Sequence, residues 1–263
     1  MRIATWNVNS VKQRLDGAAA WLRERQPDVV CLQETKCMDD AFPREAFEAL
    51  GYNVAIHGQK AFNGVAILSK SPFDEVTARL TGDDTDEQAR FLEAVISTAT
   101  GAVRVASIYL PNGNPPDTEK YTYKIRWMER LIHYARERMA LEEPFVMAGD
   151  YNVIPAAVDA RNAAAWEGDA LYLPNTRARY RALTNLGLTD AIRAGSDSSG
   201  LYTFWDYQAG AWQKNNGIRI DHVLLSPQAT DRLTGAVIDR HVRAWEKPSD
   251  HVPVVVDLAI DMK

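Results

Sequence analysis

The sequence predicts one mixed α/β domain spanning residues 1–263, with two packed β-sheets and helices outside them. Three observations carry that expectation. Short β-type runs alternate with helical ones along the whole length. There are more β-type runs than a single open sheet uses well. No Pro/Gly/Ser-rich linker, tandem repeat or low-complexity tract divides the chain.

Taken in order, the strand candidates are runs rich in Val, Ile, Leu and aromatic residues with turn residues between them. They are RIATWNV (2–8), DVVCLQE (28–34), YNVAIHG (52–58), GVAILSK (64–70), RFLEAVIST (90–98), VRVASIYLP (103–111) and FVMAGDYNV (145–153). The C-terminal third adds YTFWDY (202–207), RIDHVLLS (219–226), AVIDRHVR (236–243) and VPVVVDLAI (252–260). Helices are expected at 11–25, 43–50, 117–141 and 176–187. The third repeats apolar residues at helical spacing, with Ile125, Met128, Leu131, Ile132 and Ala135 on one face.

Composition narrows the class. Hydrophobic residues make up 46% and charged residues 25% of the chain, ordinary for a globular protein with a substantial core. No apolar run has the length of a membrane span, and the N-terminal MRIATWNV lacks the long apolar segment of a signal peptide. The only cysteines, Cys31 and Cys37, form no zinc-binding pattern and fit a reducing compartment, so a cytoplasmic location without membrane association is expected. A net charge of −5 argues against a protein that coats nucleic acid through bulk positive charge. It leaves room for an enzyme that gathers carboxylates around a metal.

Polar residues fall where the apolar runs end. Asn7 and Asn9 end the first, Gln33 and Glu34 the second, and Asp150 and Asn152 end FVMAGDYN. Asp221 interrupts IRIDHVLL, and Asp250 with His251 precedes VPVVVDL. One such residue is most simply a turn or cap, but five strands ending this way point to a shared site, since burying such groups singly is costly. Ser249, Asp250 and His251 supply the residue types of a hydrolase triad. Ser249 nevertheless lacks the sharp G-x-S-x-G turn, and three consecutive side chains do not line up as a relay. Oxygen-rich groups without a Cys/His cluster suit Mg²⁺ or Mn²⁺, and the remaining polar residues suit water activation and phosphate charge stabilisation. Phosphodiester hydrolysis is the reaction class that follows.

The stretches ATWNVNSVKQRL, PDVVCLQETK, GQKAFNGVAILSK, YLPNG, GDYNVIP, LTDAIR, YTFWDY, RIDHVLLS and PSDHVPV run in order along the chain. In this it resembles the exonuclease III family of apurinic/apyrimidinic (AP) endonucleases, within the endonuclease/exonuclease/phosphatase superfamily. The resemblance implies a four-layer α/β sandwich, two mixed β-sheets flanked by helices. It implies a monomeric, Mg²⁺-dependent enzyme, with Mn²⁺ able to substitute, acting on double-stranded DNA at abasic sites and 3′ termini. Its activities would be incision 5′ to abasic sites, 3′→5′ exonuclease action and 3′-phosphate removal. By motif, Glu34, Asn7 and Asp250 would hold the metal. Asp150 would deprotonate the attacking water, with Asn152 orienting it. His251, held by Asp221, would contact a phosphate oxygen, and Tyr109 would approach from the leaving-group side. Asn9 stands where many members of the family carry an acidic residue.

Arg14, Lys36, Asn112, Lys214 and Arg219 are the expected DNA-facing groups, and Phe204 and Trp205 resemble the wall of a pocket for an extruded nucleotide. Leu201, Tyr202 and Ile218 are expected to help shape that pocket. Three other readings remain at this stage: mainly a 3′→5′ exonuclease and 3′-phosphatase with weak AP-site incision, a phosphodiesterase or phosphatase of the same superfamily acting on a non-DNA substrate, and a binding protein without catalysis.

Overall fold

The computed structural model describes residues 1–263. The chain runs through β1 (Arg2–Asn7), α1 (Leu15–Arg25), β2 (Val29–Gln33), α2 (Arg44–Glu48), β3 (Asn53–His57), β4 (Val65–Ser69), β5 (Glu75–Ala78), β6 (Phe91–Thr98) and β7 (Gly101–Tyr109). It continues with α3 (Glu119–Met139), β8 (Phe145–Asp150), α4 (Pro174–Thr184), β9 (Thr189–Asp190), α5 (Ala191–Gly195), β10 (Asp221–Leu225), α6 (Pro227–Thr230), β11 (Leu233–Ile238) and β12 (Val254–Leu258).

The strands form two six-stranded sheets, ordered β11-β12-β1-β2-β4-β3 and β5-β6-β7-β8-β10-β9. Each contains one parallel pair, β1 with β2 and β7 with β8. A parallel pair needs a crossover, and α1 and α3 supply it on the outer faces of the two sheets. Side chains such as Ile3, Ile67, Val105, Val146 and Val256 fill the space between the sheets. Outside the first sheet, Trp21 and Leu22 of α1 pack with Trp6; outside the second, Trp127, Met128 and Leu131 of α3 pack with Met147 and Leu224. The result is the expected four-layer α/β sandwich.

The two parallel pairs decide where polar strand ends meet. Asn7 lies opposite Gln33 at the end of β1 and β2, and Tyr109 opposite Asp150 at the end of β7 and β8. Antiparallel β10 starts at that same edge, with Asp221 opposite Asp150. Three strands therefore carry Tyr109, Asp150 and Asp221 in one row, facing the end of the other sheet.

Some sequence expectations are corrected. Residues 202–207 form no strand: Thr203 and Phe204 bond the carbonyl of Ile218 while Trp205 bonds that of Asp250, so no single ladder forms. The run at 236–243 is divided, since β11 starts earlier, at Leu233, and Arg240–Ala244 is a 3₁₀ turn. β5 and β9 and the short helices α5 and α6 escape detection because they are too short for periodicity to register. In α3 the buried stripe is Lys124, Trp127, Met128, Leu131, Tyr134 and Ala135, with Ile125 and Ile132 only half-buried.

Candidate active site

The site forms where the row on the second sheet meets the end of the first. Asp150 reaches it because Gly149 lets β8 press against β7: a Cβ there would sit 1.9 Å from the Ile108 carbonyl oxygen. Asp150 Oδ1 accepts the backbone N–H of Asn152 at 2.9 Å, and Oδ2 accepts Asn7 Nδ2 across the sheets at 2.9 Å. Asn7 Nδ2 also donates to Glu34 Oε1 at 2.8 Å, so one amide joins two carboxylates from different sheets. Glu34 (φ 52°), Asn9 (φ 44°) and Asn152 (φ 47°) all adopt left-handed backbone conformations. Asparagine tolerates that region, whereas Glu34 holds strain of the kind that concentrates at functional sites.

His251 forms the second half. Its Nδ1 lies 2.8 Å from Asp221 Oδ2, and Thr203 Oγ1 donates to that same oxygen at 2.6 Å. The Thr203 hydroxyl in turn accepts the N–H groups of Ile220 and Asp221. His251 Nε2 faces Asp150 Oδ2 at 3.7 Å. Burial by itself lowers an imidazole's proton affinity, but the carboxylates of Asp221 and Asp150 reverse this and hold His251 above its ordinary value. That direction suits His251 to act as a charged donor. Burial lifts the Asp150 carboxyl above the usual carboxylate range, against the pull of His251. A base with raised proton affinity beside a charged donor suits water activation and stabilisation of phosphoryl negative charge.

Ser249 is a staple. Its buried Oγ donates to the Asn7 carbonyl at 2.7 Å and accepts the His251 N–H at 3.2 Å, tying His251 to the end of β1. Asp250 accepts Asn9 Nδ2 at 3.1 Å.

Glu34, Asp150 and His251 place potential ligand atoms within 4.8 Å of one another. The Lys36 ammonium stands 2.8 Å from Glu34 Oε2 and 2.5 Å from Asn9 Oδ1, so these oxygens already hold a positive charge. Burial would raise the Glu34 carboxyl, but Lys36 and the Asn7 amide outweigh it and keep the group below its ordinary value. An ionised, oxygen-rich set fits a hard divalent cation. Two expected ligands are placed differently. The Asn7 oxygen accepts the Asn9 N–H at 3.0 Å, and its amide nitrogen faces the carboxylates. Asp250 lines the cleft but lies outside the 4.8 Å group.

A cleft of about 250 Å³ opens above this centre, with Tyr109, Asn112, Asn152, Phe204, Asp250 and His251 among its lining. Phe204 therefore stands in the wall, and its ring packs edge-on against that of His251 at 5.0 Å. Trp205 does not: it is fully buried and packs edge-on against Trp212. Arg219 is likewise corrected. It is 1% exposed, bonded to Asp159 and Asp190 at 2.7 Å and to His222 at 3.0 Å, so it braces the second sheet from within. Arg14 donates to the Tyr207 hydroxyl at 2.9 Å beside the site, and exposed Lys214 bonds its own loop at Ala209. Leu201 and Tyr202 face a different cavity, and Ile218 lies buried behind Phe204.

Sequence reasoning missed Trp166, Asn114 and Asp206 in the cleft wall, along with Thr203 behind Asp221. Asn114, Trp166 and Thr203 do not end an apolar strand run, the signal that singled out Asn7, Glu34, Asp150 and Asn152.

Comparison with known proteins places these features among relatives. Residues 4–251 match the Endonuclease/Exonuclease/phosphatase family. The chain is 34% identical to exodeoxyribonuclease III of Haemophilus influenzae, over 97% of this chain and 98% of that protein. An AP endonuclease structure from Archaeoglobus fulgidus superposes with a TM-score of 0.92 at 36% identity, covering 98% of this chain and 99% of that one. The 3′-5′ exonuclease NExo from Neisseria meningitidis gives 0.94 at 36% identity over the same shares, and a NExo structure described as a 3′ phosphatase is bound to a product DNA hairpin.

Proposed function

The chain belongs to the endonuclease/exonuclease/phosphatase family, and from that premise we propose that it is a divalent-metal-dependent DNA-repair nuclease of exonuclease III type. It hydrolyses phosphodiester bonds in double-stranded DNA. It incises 5′ to abasic sites, degrades 3′→5′ from recessed ends and clears 3′-phosphates. The observation that carries this reading is the convergence of Glu34, Asp150, Asn152 and His251 on one cleft, with Asp221 buried behind His251, in a chain whose full-length relatives bear these activities in their names.

In this reading Asp150 accepts a proton from the attacking water, and Asn152 helps to place the scissile phosphate. The His251 imidazolium, oriented by Asp221 and Thr203, donates through Nε2 to a phosphoryl oxygen as negative charge develops. Tyr109 reaches the phosphate from the leaving-group side. Glu34 would hold the metal, with Asp250 contributing directly or through water. Mg²⁺, or Mn²⁺ in its place, supplies Lewis-acid polarisation of a phosphoryl oxygen when bound. Arg14, Lys36, Asn112 and Lys214 contact DNA phosphates, and Phe204 forms the wall against the bound nucleotide. Residues 1–263 act as one domain, as a monomer in the cytoplasm.

Solved relatives at equal 36% identity are named for different activities, so the balance between incision and 3′ processing is the quantity to measure. Three labelled duplexes carry the test: an internal abasic analogue, a recessed normal 3′ end and a 3′-phosphate, each with Mg²⁺, Mn²⁺ or EDTA. Cleavage of the duplexes with either metal and none in EDTA is expected. No cleavage of any duplex, together with hydrolysis of an inositol phosphate, would select a non-DNA phosphodiesterase instead.

A further inference from the structure

Lys124 lies on the buried face of α3, between the helix and the loops that frame the cleft, and it is fully buried. A lysine at a core position flanked by Trp127, Met128 and Leu131 is a costly choice where an apolar side chain would pack. Its Nζ donates to the Asn152 carbonyl at 2.6 Å and to the Asn112 carbonyl at 3.0 Å. Those two residues end separate segments, one following β8 and the other following β7.

The surrounding geometry is built around this side chain. Gly113, in a left-handed conformation (φ 87°), lets the loop bend over the lysine stem, and a Cβ there would sit 2.6 Å from Lys124 Cδ. Asn112 Nδ2 donates to Asn152 Oδ1 at 3.2 Å, and Asn152 Nδ2 donates to the Leu110 carbonyl at 2.9 Å. Asn114 bonds Asn112 Oδ1 at 2.9 Å and Asp169 at 3.1 Å, extending the polar chain to the cleft rim. Nothing else recorded in the structure bonds both carbonyls at once.

We propose that Lys124 is a positioning residue for hydrolysis: it clamps the backbone of Asn112 and Asn152 together and so fixes both side chains against the substrate phosphate. The inference rests on the hydrolytic reading of the cleft. Lys124 does not touch substrate; it acts through the two asparagines. Burial lowers its proton affinity to about 7, opposed by Asp150 and Asp169, but the clamp does not depend on charge. A neutral amine keeps two N–H donors, as many as the carbonyls require.

The test compares wild type with Lys124→Met, which keeps the stem and removes the donors, and Lys124→Arg, which restores them. Single-turnover cleavage of the 3′-phosphate duplex with Mg²⁺, duplex affinity in EDTA and amide hydrogen exchange over residues 109–115 and 150–154 are measured for each. Lys124→Met is expected to slow the cleavage step by roughly ten- to a hundredfold, as displaced positioning groups do. It should leave duplex affinity within about threefold and raise exchange in both segments, while Lys124→Arg recovers most of the rate. Wild-type cleavage by Lys124→Met, or unchanged exchange, overturns the proposal, as does a folded Lys124→Arg no faster than Lys124→Met. If Lys124→Met does not fold, Lys124→Gln is read in its place against the same outcomes. If the wild-type protein cleaves nothing, the hydrolytic reading has failed, and the exchange experiment still tests the clamp.

Discussion

At Asn7 a single amide decides how two carboxylates coexist. Its nitrogen donates to Glu34 and Asp150, and its oxygen is taken by the Asn9 N–H. The amide bridges the carboxylates of the two sheets and offsets part of their repulsion, and Lys36 with Asn7 keeps Glu34 below its ordinary value. Asn7→Asp is the discriminating substitution, because it keeps the oxygens and removes both N–H donors. A loss in kcat of roughly a hundredfold, with no gain in Mn²⁺ affinity, is expected from an unpaired charge placed between two others. Tighter Mn²⁺ binding with activity preserved would make Asn7 a ligand after all. At Lys36 the ammonium against Glu34 and Asn9 gives a second local rule, since a bound metal and this lysine compete for one set of oxygens.

At the scale of elements, the strand ends do the positioning. Gly149 has the tightest requirement, because its Cα faces the Ile108 backbone in the parallel β7–β8 pair. Gly149→Ala must push the strands apart, and urea denaturation is expected to show a loss of about 3 kcal/mol, the upper range for overpacking. Activity should fall with it, since Tyr109 and Asp150 sit opposite one another on those strands; a loss below about 0.5 kcal/mol would contradict the close approach. The same elements explain what could be read beforehand. Glu34, Asp150, Asp221 and His251 were legible because each is a polar residue at the edge of an apolar strand, and the family motifs then gave them roles. The structure gathers Glu34, Asp150 and His251 in one cleft and sets Asp221 behind His251. Arg219 was misread because a charged residue in a strand looks solvent-directed until Asp159 and Asp190, from distant segments, are seen to neutralise it. Trp205 was misread because one turn of an aromatic run gives no sign of which ring faces the cleft. Lys124 was invisible for the opposite reason: helical periodicity assigns a lysine to solvent, and only the tertiary fold brings two orphan carbonyls to it.

For the whole molecule, the Arg219 network sets a pH limit on the second sheet. His222 is fully buried, and Arg219 donates to its Nδ1 while its Nε2 lies 2.9 Å from the Val153 carbonyl, so the ring is held neutral. Burial and then Arg219 lower its value from 6.5 to about 4. Between those limits the unfolded chain takes up a proton that the folded protein refuses. Stability from this residue is therefore present above pH 6.5 and lost as pH falls, by about 1.4 kcal/mol per unit. His222 is expected to contribute about 2 kcal/mol to the change in urea stability between pH 7.5 and 5.0. It is read as the difference between wild type and His222→Gln, because His251 and Asp150 titrate in the opposite direction over the same range. The loss on going to pH 5.0 should be smaller in His222→Gln by that amount, and the same pH dependence in wild type and His222→Gln would contradict the buried neutral ring. All of this scaffolding serves one centre, in which the proposed role of Asp150 is to remove the proton from water. The most direct measurement is single-turnover cleavage of a 3′-phosphate duplex by Asp150→Asn, with binding of the same duplex recorded in parallel. The variant should bind within a few-fold of wild type and cleave at least about a thousandfold more slowly, whereas turnover near the wild-type rate would remove Asp150 from the chemistry.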